Sequence, residues 1–108
     1  MLDVDHTKDL RKYTQTVDGK AVAGLVKHLG IALKGRDSSF VACSDSSERD
    51  RVREHFLKKK LGLTMPDGKL DEAIIEICQR MAKDRDKHRV TFYYLLAEKY
   101  GKLAAFSK

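Results

Sequence analysis

The chain has 108 residues, 42% of them hydrophobic and 35% charged, with a formal net charge of +6. That length holds one domain with a real core, and the composition excludes a disordered chain. Two cysteines are fewer than a disulfide-dependent secreted domain carries. The opening MLDVDHTKDLRKY has no apolar signal core, and no apolar run approaches the ~20 residues that span a bilayer. A soluble, cytoplasmic protein with reduced thiols is expected.

One proline, no tryptophan and an abundance of Ala, Leu, Lys, Glu and Arg favour helix over sheet. The first segment suits a short helix over Thr7 to Gln15, with Leu10 and Tyr13 inward and Asp5 or Thr7 as cap. Asp18 is expected to cap the second helix. Val22, Leu25, Val26 and Leu29 fall at i, i+3, i+4 and i+7 on one face, and Gly30 ends it. The stretch KGRDSSFVACSDSS reads as the main connection, rich in turn formers. Its short apolar run Phe40–Val41–Ala42 is expected to plug the core as a buried loop.

A third helix follows in SDSSERDRVREHFLKKKLG. Asp45 and Glu48 have capping-box spacing, Glu54 and Lys58 form an i,i+4 pair in the favourable order, and Gly62 closes it. On a wheel of about 100° per residue, Phe56 faces inward while Lys58 and Lys59 face water. Arg49, Arg53 and Lys60 fall among apolar neighbours. There they either lay their stems on that surface or meet a carboxylate of the next helix, such as Asp71, Glu72 or Glu76.

After the turn MPDG, with Asp67 as cap, Leu70, Ala73, Ile74, Ile77, Cys78 and Met81 make a clean amphipathic stripe. Cys78 is expected there as a buried free thiol. The last helix, from about Asp86 to Tyr100, is apolar around nearly its whole circumference and is expected at the centre of the fold. Gly101 ends it, and Leu103 and Phe106 of the tail can fold back.

Chemistry is hard to find in this chain. There is no C-x-x-C or H-x-x-x-H pair to seed a metal site. Cys43 and Ser44 precede a helix, but Ser44 and Asp45 read better as capping residues than Cys43 does as a nucleophile. Gly30 and Gly35 have P-loop spacing, yet Arg36-Asp37 follows in place of Lys-Ser/Thr. Phe92, Tyr93, Tyr94 and Tyr100 read as core. No catalytic residue, cofactor or metal is expected.

Positive charge gathers in two segments. Residues 48–62 and residues 84–108 each hold six Lys/Arg against three Asp/Glu. Lys58, Lys59, Arg85 and Lys87 are the candidate polyanion contacts. Asp84 and Asp86 interrupt the second segment, and the acidic start of the helix after MPDG makes a poor recognition helix.

Three strings, AVAGLVKHLGIALKGRDSS, CSDSSERDRVREHFLKKKLGL and RVTFYYLLAEKYGK, carry a resemblance. The chain is similar through them to a family of small bacterial proteins of unknown function, DUF 2853. The resemblance implies a compact, mostly helical, cytoplasmic bacterial protein and brings no activity, cofactor or site residue.

The sequence is therefore expected to form an all-α, single helical domain over 1–108, a compact bundle of about five helices with a buried C-terminal helix. It is expected to act as a non-enzymatic protein-interaction or binding module with a protein partner and no membrane partner. Sequence-independent binding of nucleic acid or another polyanion through the basic helix face is the alternative.

Overall fold

Nine consecutive residues, Arg89 to Ala97, are buried. Only a helix enclosed on all sides hides such a run, and the rest of the chain is arranged to enclose it. The computed structural model describes residues 6–35 and 38–107. Its helices are α1 (His6–Leu10), α2 (Gly19–Leu29), α3 (Ser46–Arg51), α4 (Asp67–Arg80) and α5 (Arg89–Lys99). A 3-10 segment, Gly30–Lys34, extends α2, and a 3-10 turn, Leu103–Ala105, follows α5. α5 packs on α1, α2, α4 and that last turn, while α4 packs on the third helix. This is the all-α bundle with a central C-terminal helix that the sequence leads one to expect. No helix among the described residues is long and apolar enough to cross a membrane.

Local signals set several ends. Asp18 caps α2 by accepting from the amides of Lys20 and Ala21. Its own amide donates to the Tyr94 hydroxyl at 2.8 Å, which ties the cap to α5. Gly62 and Gly101 take φ values of +69° and +65° just past the third helix and α5, where a side chain would be strained. Asp45 caps α3 through the Ser47 amide.

Other expectations are corrected. The Asp45 amide donates to the carbonyl of Ala42, so Glu48 does not close a capping box; it turns into the core. Asp67 is the first residue of α4 and gives its side chain to Lys58 and Arg53, with Pro66 at the cap position. α1 stops at Leu10 and continues as a turn. The proposed cap Asp5 lies outside the described residues. α5 begins at Arg89, not near Asp86, because residues 81–88 are spent on turns. Val26 is 37% exposed, and Ala21 takes its place against the core. The Phe40 run is more than a loop. Val41 is buried, and Phe40 bridges His88 antiparallel, with the Val41 amide to the Lys87 carbonyl and the Arg89 amide to the Ser39 carbonyl, each 2.8 Å.

The third helix departs most from expectation. α3 runs without a break into a π-helical segment, Val52–Lys60. The Leu61 amide bonds the Phe56 carbonyl five residues back, at 2.9 Å. π-helices are rare and mostly single turns, and this one is longer. Its wider turn lines up residues four and five apart. Val52, Phe56, Leu57 and Leu61, which have that spacing, are all buried.

Cys43 and Cys78 form a disulfide across the α3–α4 unit, with Cα atoms 5.9 Å apart. The expected free, buried thiol at Cys78 is thereby corrected, and so are the expected reduced cysteines. The apolar stripe of α4 runs along its buried side, and Cys78 sits at the edge of that stripe, half-buried, facing the loop before α3.

The tail docks: Phe106 is 5% exposed and packs on Phe56 and His28. Gly24 makes room for it. A Cβ on Gly24 would lie 1.9 Å from the Phe106 carbonyl oxygen. Gly24→Ala is therefore expected to push the tail off α2 at a cost of about 1–3 kcal/mol, the usual range for overpacking. Hydrogen exchange at the amides of Phe106 and Ser107 checks this; unchanged protection would mean the tail adjusts in place.

Candidate functional site

The four sequence-derived polyanion candidates do not converge. Lys58 is half-buried and paired, at 2.9 Å to Glu54 and 2.6 Å to Asp67. Hydrogen bonding to Asp67 and then Glu54 raises its pKa. Lys59 is exposed, as expected. Arg85 is exposed in the turn after α4, and Lys87, half-buried, donates to the Asp84 carbonyl at 2.8 Å. Lys58 sits against the start of α4, through Asp67, and Arg85 lies beyond its end. The helix between these two ends, 14 residues long, spans about 20 Å. Arg53 meets a carboxylate of the next helix, bonding Asp71 at 2.9 Å. Lys60 lays its ammonium over the Phe106 ring, 5.4 Å from the centroid. Arg49 donates to the Cys43 carbonyl.

A different basic surface forms on α2. Residues 19–35 hold three lysines and no Asp or Glu. That acid-free run is a signal readable from sequence, though block counts over 48–62 and 84–108 pass over it. The fold lays Lys60 beside it: Phe106 touches both Lys60 and His28. Lys20, Lys27 and Lys60 are exposed, and none joins an ion pair among the described residues. Lys20 and Lys27 rim a shallow depression floored by Ala23, Gly24 and Phe106. Asp18, whose carboxylate meets Ser107 beside the depression, is held by two backbone amides and the Ser107 hydroxyl, and the Ser107 bond leads in lowering its pKa.

Next to this face, α2, the π-helical segment and α5 leave a cleft of about 260 Å³. Arg89 and Tyr93, one turn apart on α5, form its inner wall. The Arg89 guanidinium bonds the Ser38 carbonyl at 2.7 Å, the Phe40 carbonyl at 3.0 Å, the Tyr93 hydroxyl at 3.0 Å and the Glu48 carboxylate. Side chains of this Arg89–Glu48 pair are 9% and 6% exposed. Burial alone would lower the Arg89 pKa, but Tyr93 and Glu48 raise it. Burial also pushes the Tyr93 phenol up, so it stays protonated at neutral pH. Arg51, 62% exposed, bonds the second Glu48 oxygen at 2.9 Å. His28 and His55 complete the rim, and burial followed by the charge of Lys60 lowers the His28 pKa. Among the described residues no group of three or more His, Cys, Asp or Glu is placed to hold a metal ion.

The chain is thus a small all-α bundle protein, closed across its third and fourth helices by a disulfide. It belongs to the family described as protein of unknown function (DUF2853), whose model matches residues 5–104. No curated protein matches it.

Proposed function

We propose that the protein is a non-enzymatic binding module that docks an acidic segment of a partner protein on its α2 face. The observation that carries this reading is three exposed ammonium groups without ion pairs among the described residues: Lys20 and Lys27 on the rim of a depression with an apolar floor, and Lys60 over the ring of Phe106, which helps to line it. Unpaired cations on one face steer an oppositely charged partner and fix its register. The floor of Ala23, Gly24 and Phe106 adds a dry contact, as does Ile31, 85% exposed just beyond α2. A phosphate backbone, by contrast, is held by many spread cations and gains little from apolar floor.

The α2 face lies on other elements than the Cys43–Cys78 disulfide and does not depend on it.

The test is fluorescence anisotropy with a labelled acidic, leucine-containing peptide and, separately, short duplex DNA, at low and near-physiological salt. The peptide is expected to bind more tightly than DNA, and Lys20→Glu/Lys27→Glu to weaken it by roughly tenfold. Tighter binding of DNA, lost in Lys58→Glu/Lys59→Glu, would instead support the polyanion reading.

A further inference from the structure

We propose that the cleft between α2, the π-helical segment and α5 binds a small organic acid, with its carboxylate on the Tyr93 hydroxyl and the Arg51 guanidinium and its apolar body against Phe56 and Leu29. This site is separate from the partner-docking face and does not rest on it.

Tyr93 is the first reason. It is 6% exposed and lines the cleft. Its hydroxyl oxygen accepts from Arg89 at 3.0 Å, and none of the described residues takes its proton. The O–H therefore remains available to a ligand in the cleft, and a phenol polarised by a guanidinium is a strong donor to an anion. Phe56 stacks on the Tyr93 ring at 4.1 Å and holds its orientation.

Charge decides what kind of acid. Two guanidinium groups, Arg51 and Arg89, face one carboxylate, Glu48. Among the described residues of this cluster one positive charge remains, which matches a monoanion better than a phosphate dianion. Arg89 commits four of its five N–H donors to Ser38, Phe40, Tyr93 and Glu48, so it leaves a ligand one donor at most and Arg51 is the main cationic contact. Arg51 spends one nitrogen on Glu48 and turns the rest of its fork to solvent. Size points the same way. The cleft, about 260 Å³, lies just below the usual range of about 300–1,000 Å³ for ligand sites, so the acid is a short one.

The test uses the full chain, with benzoate as probe and benzamide as its neutral counterpart. Ring carbon–proton signals of His28 and His55, both on the rim, report occupancy by NMR. Benzoate is expected to shift both rings saturably, with benzamide at least roughly tenfold weaker. Tyr93→Phe and, separately, Arg51→Gln are expected to weaken benzoate by roughly ten- to a hundredfold, as loss of one bond to a charged group does. Arg51→Gln alters an exposed side chain and keeps the test open if Tyr93→Phe fails to fold. Equal responses to benzoate and benzamide, no saturable shift, or unchanged benzoate affinity in Arg51→Gln would overturn the proposal. If benzoate fails while the acidic peptide still binds in a Lys20/Lys27-dependent way, the cleft assignment falls and partner docking stands. The reverse pair of results removes partner docking alone.

Discussion

Glu48→Ala is expected to destabilise the protein by about 3–5 kcal/mol, the cost of leaving one member of a buried ion pair without its partner. The pair joins α3 to the first turn of α5, where Arg89 is buried with the rest of that helix. With Glu48 gone, the guanidinium keeps the Ser38 and Phe40 carbonyls and the Tyr93 hydroxyl but loses its counter-charge. Arg51, mostly in water, loses only a surface contact. Chemical denaturation of Glu48→Ala and of Glu48→Leu/Arg89→Met separates the causes. The double variant is expected to recover part of the loss, because no buried charge is left uncompensated. It should not recover all, since two carbonyls lose a donor. A loss below about 1 kcal/mol in Glu48→Ala would mean that water reaches the guanidinium and that the pair is a surface contact.

The second large effect is reduction of the Cys43–Cys78 bond. The cysteines stand 35 residues apart and enclose α3, the π-helical segment and most of α4. On the chain-entropy argument, closing a loop of that length stabilises the folded state by about 4 kcal/mol relative to the open chain. For a domain of this size that amounts to roughly 15–30 °C in the unfolding midpoint. Thermal unfolding with and without a phosphine reductant, beside the Cys43→Ala/Cys78→Ala variant, checks it. The reduced protein is expected to keep its helices, because both cysteines pack against the edge of the core and are only partly buried, and to melt earlier. Equal midpoints, with two thiols titrating in the untreated protein, would contradict the bonded state.

What could be read from the sequence was local. Asp18 and Asp45 cap helices by bonds to their own next turn, and Gly62 and Gly101 end helices by their own φ. The burial of α5 was legible because its apolar residues leave no polar face. What escaped needed a partner from elsewhere in the chain. Glu48 looks like a capping residue until Arg89, 41 positions on, is folded against it. Asp67 looks like a cap until Lys58 and Arg53 reach it. Lys58 itself was expected in water by a wheel drawn at the α-helical angle, which the π-helical winding changes. Neither cysteine has a local feature that names the other. For the candidate site the division is the same. The acid-free run of α2 was on the page of the sequence, but its junction with Lys60 and the wall made by Arg89 and Tyr93 exist only after folding.

The central claim is that the α2 face, not the lysine triplet, is where an anionic partner docks. Amide-shift mapping of the isotope-labelled full chain, titrated with the acidic peptide at low salt, tests it most directly. Shifts are expected to cluster on Lys20 to Lys27, Lys60 and Phe106 and to fade as salt is raised. Shifts confined to Lys58–Lys59 or to Arg85–Lys87, or none at low salt, would contradict the claim.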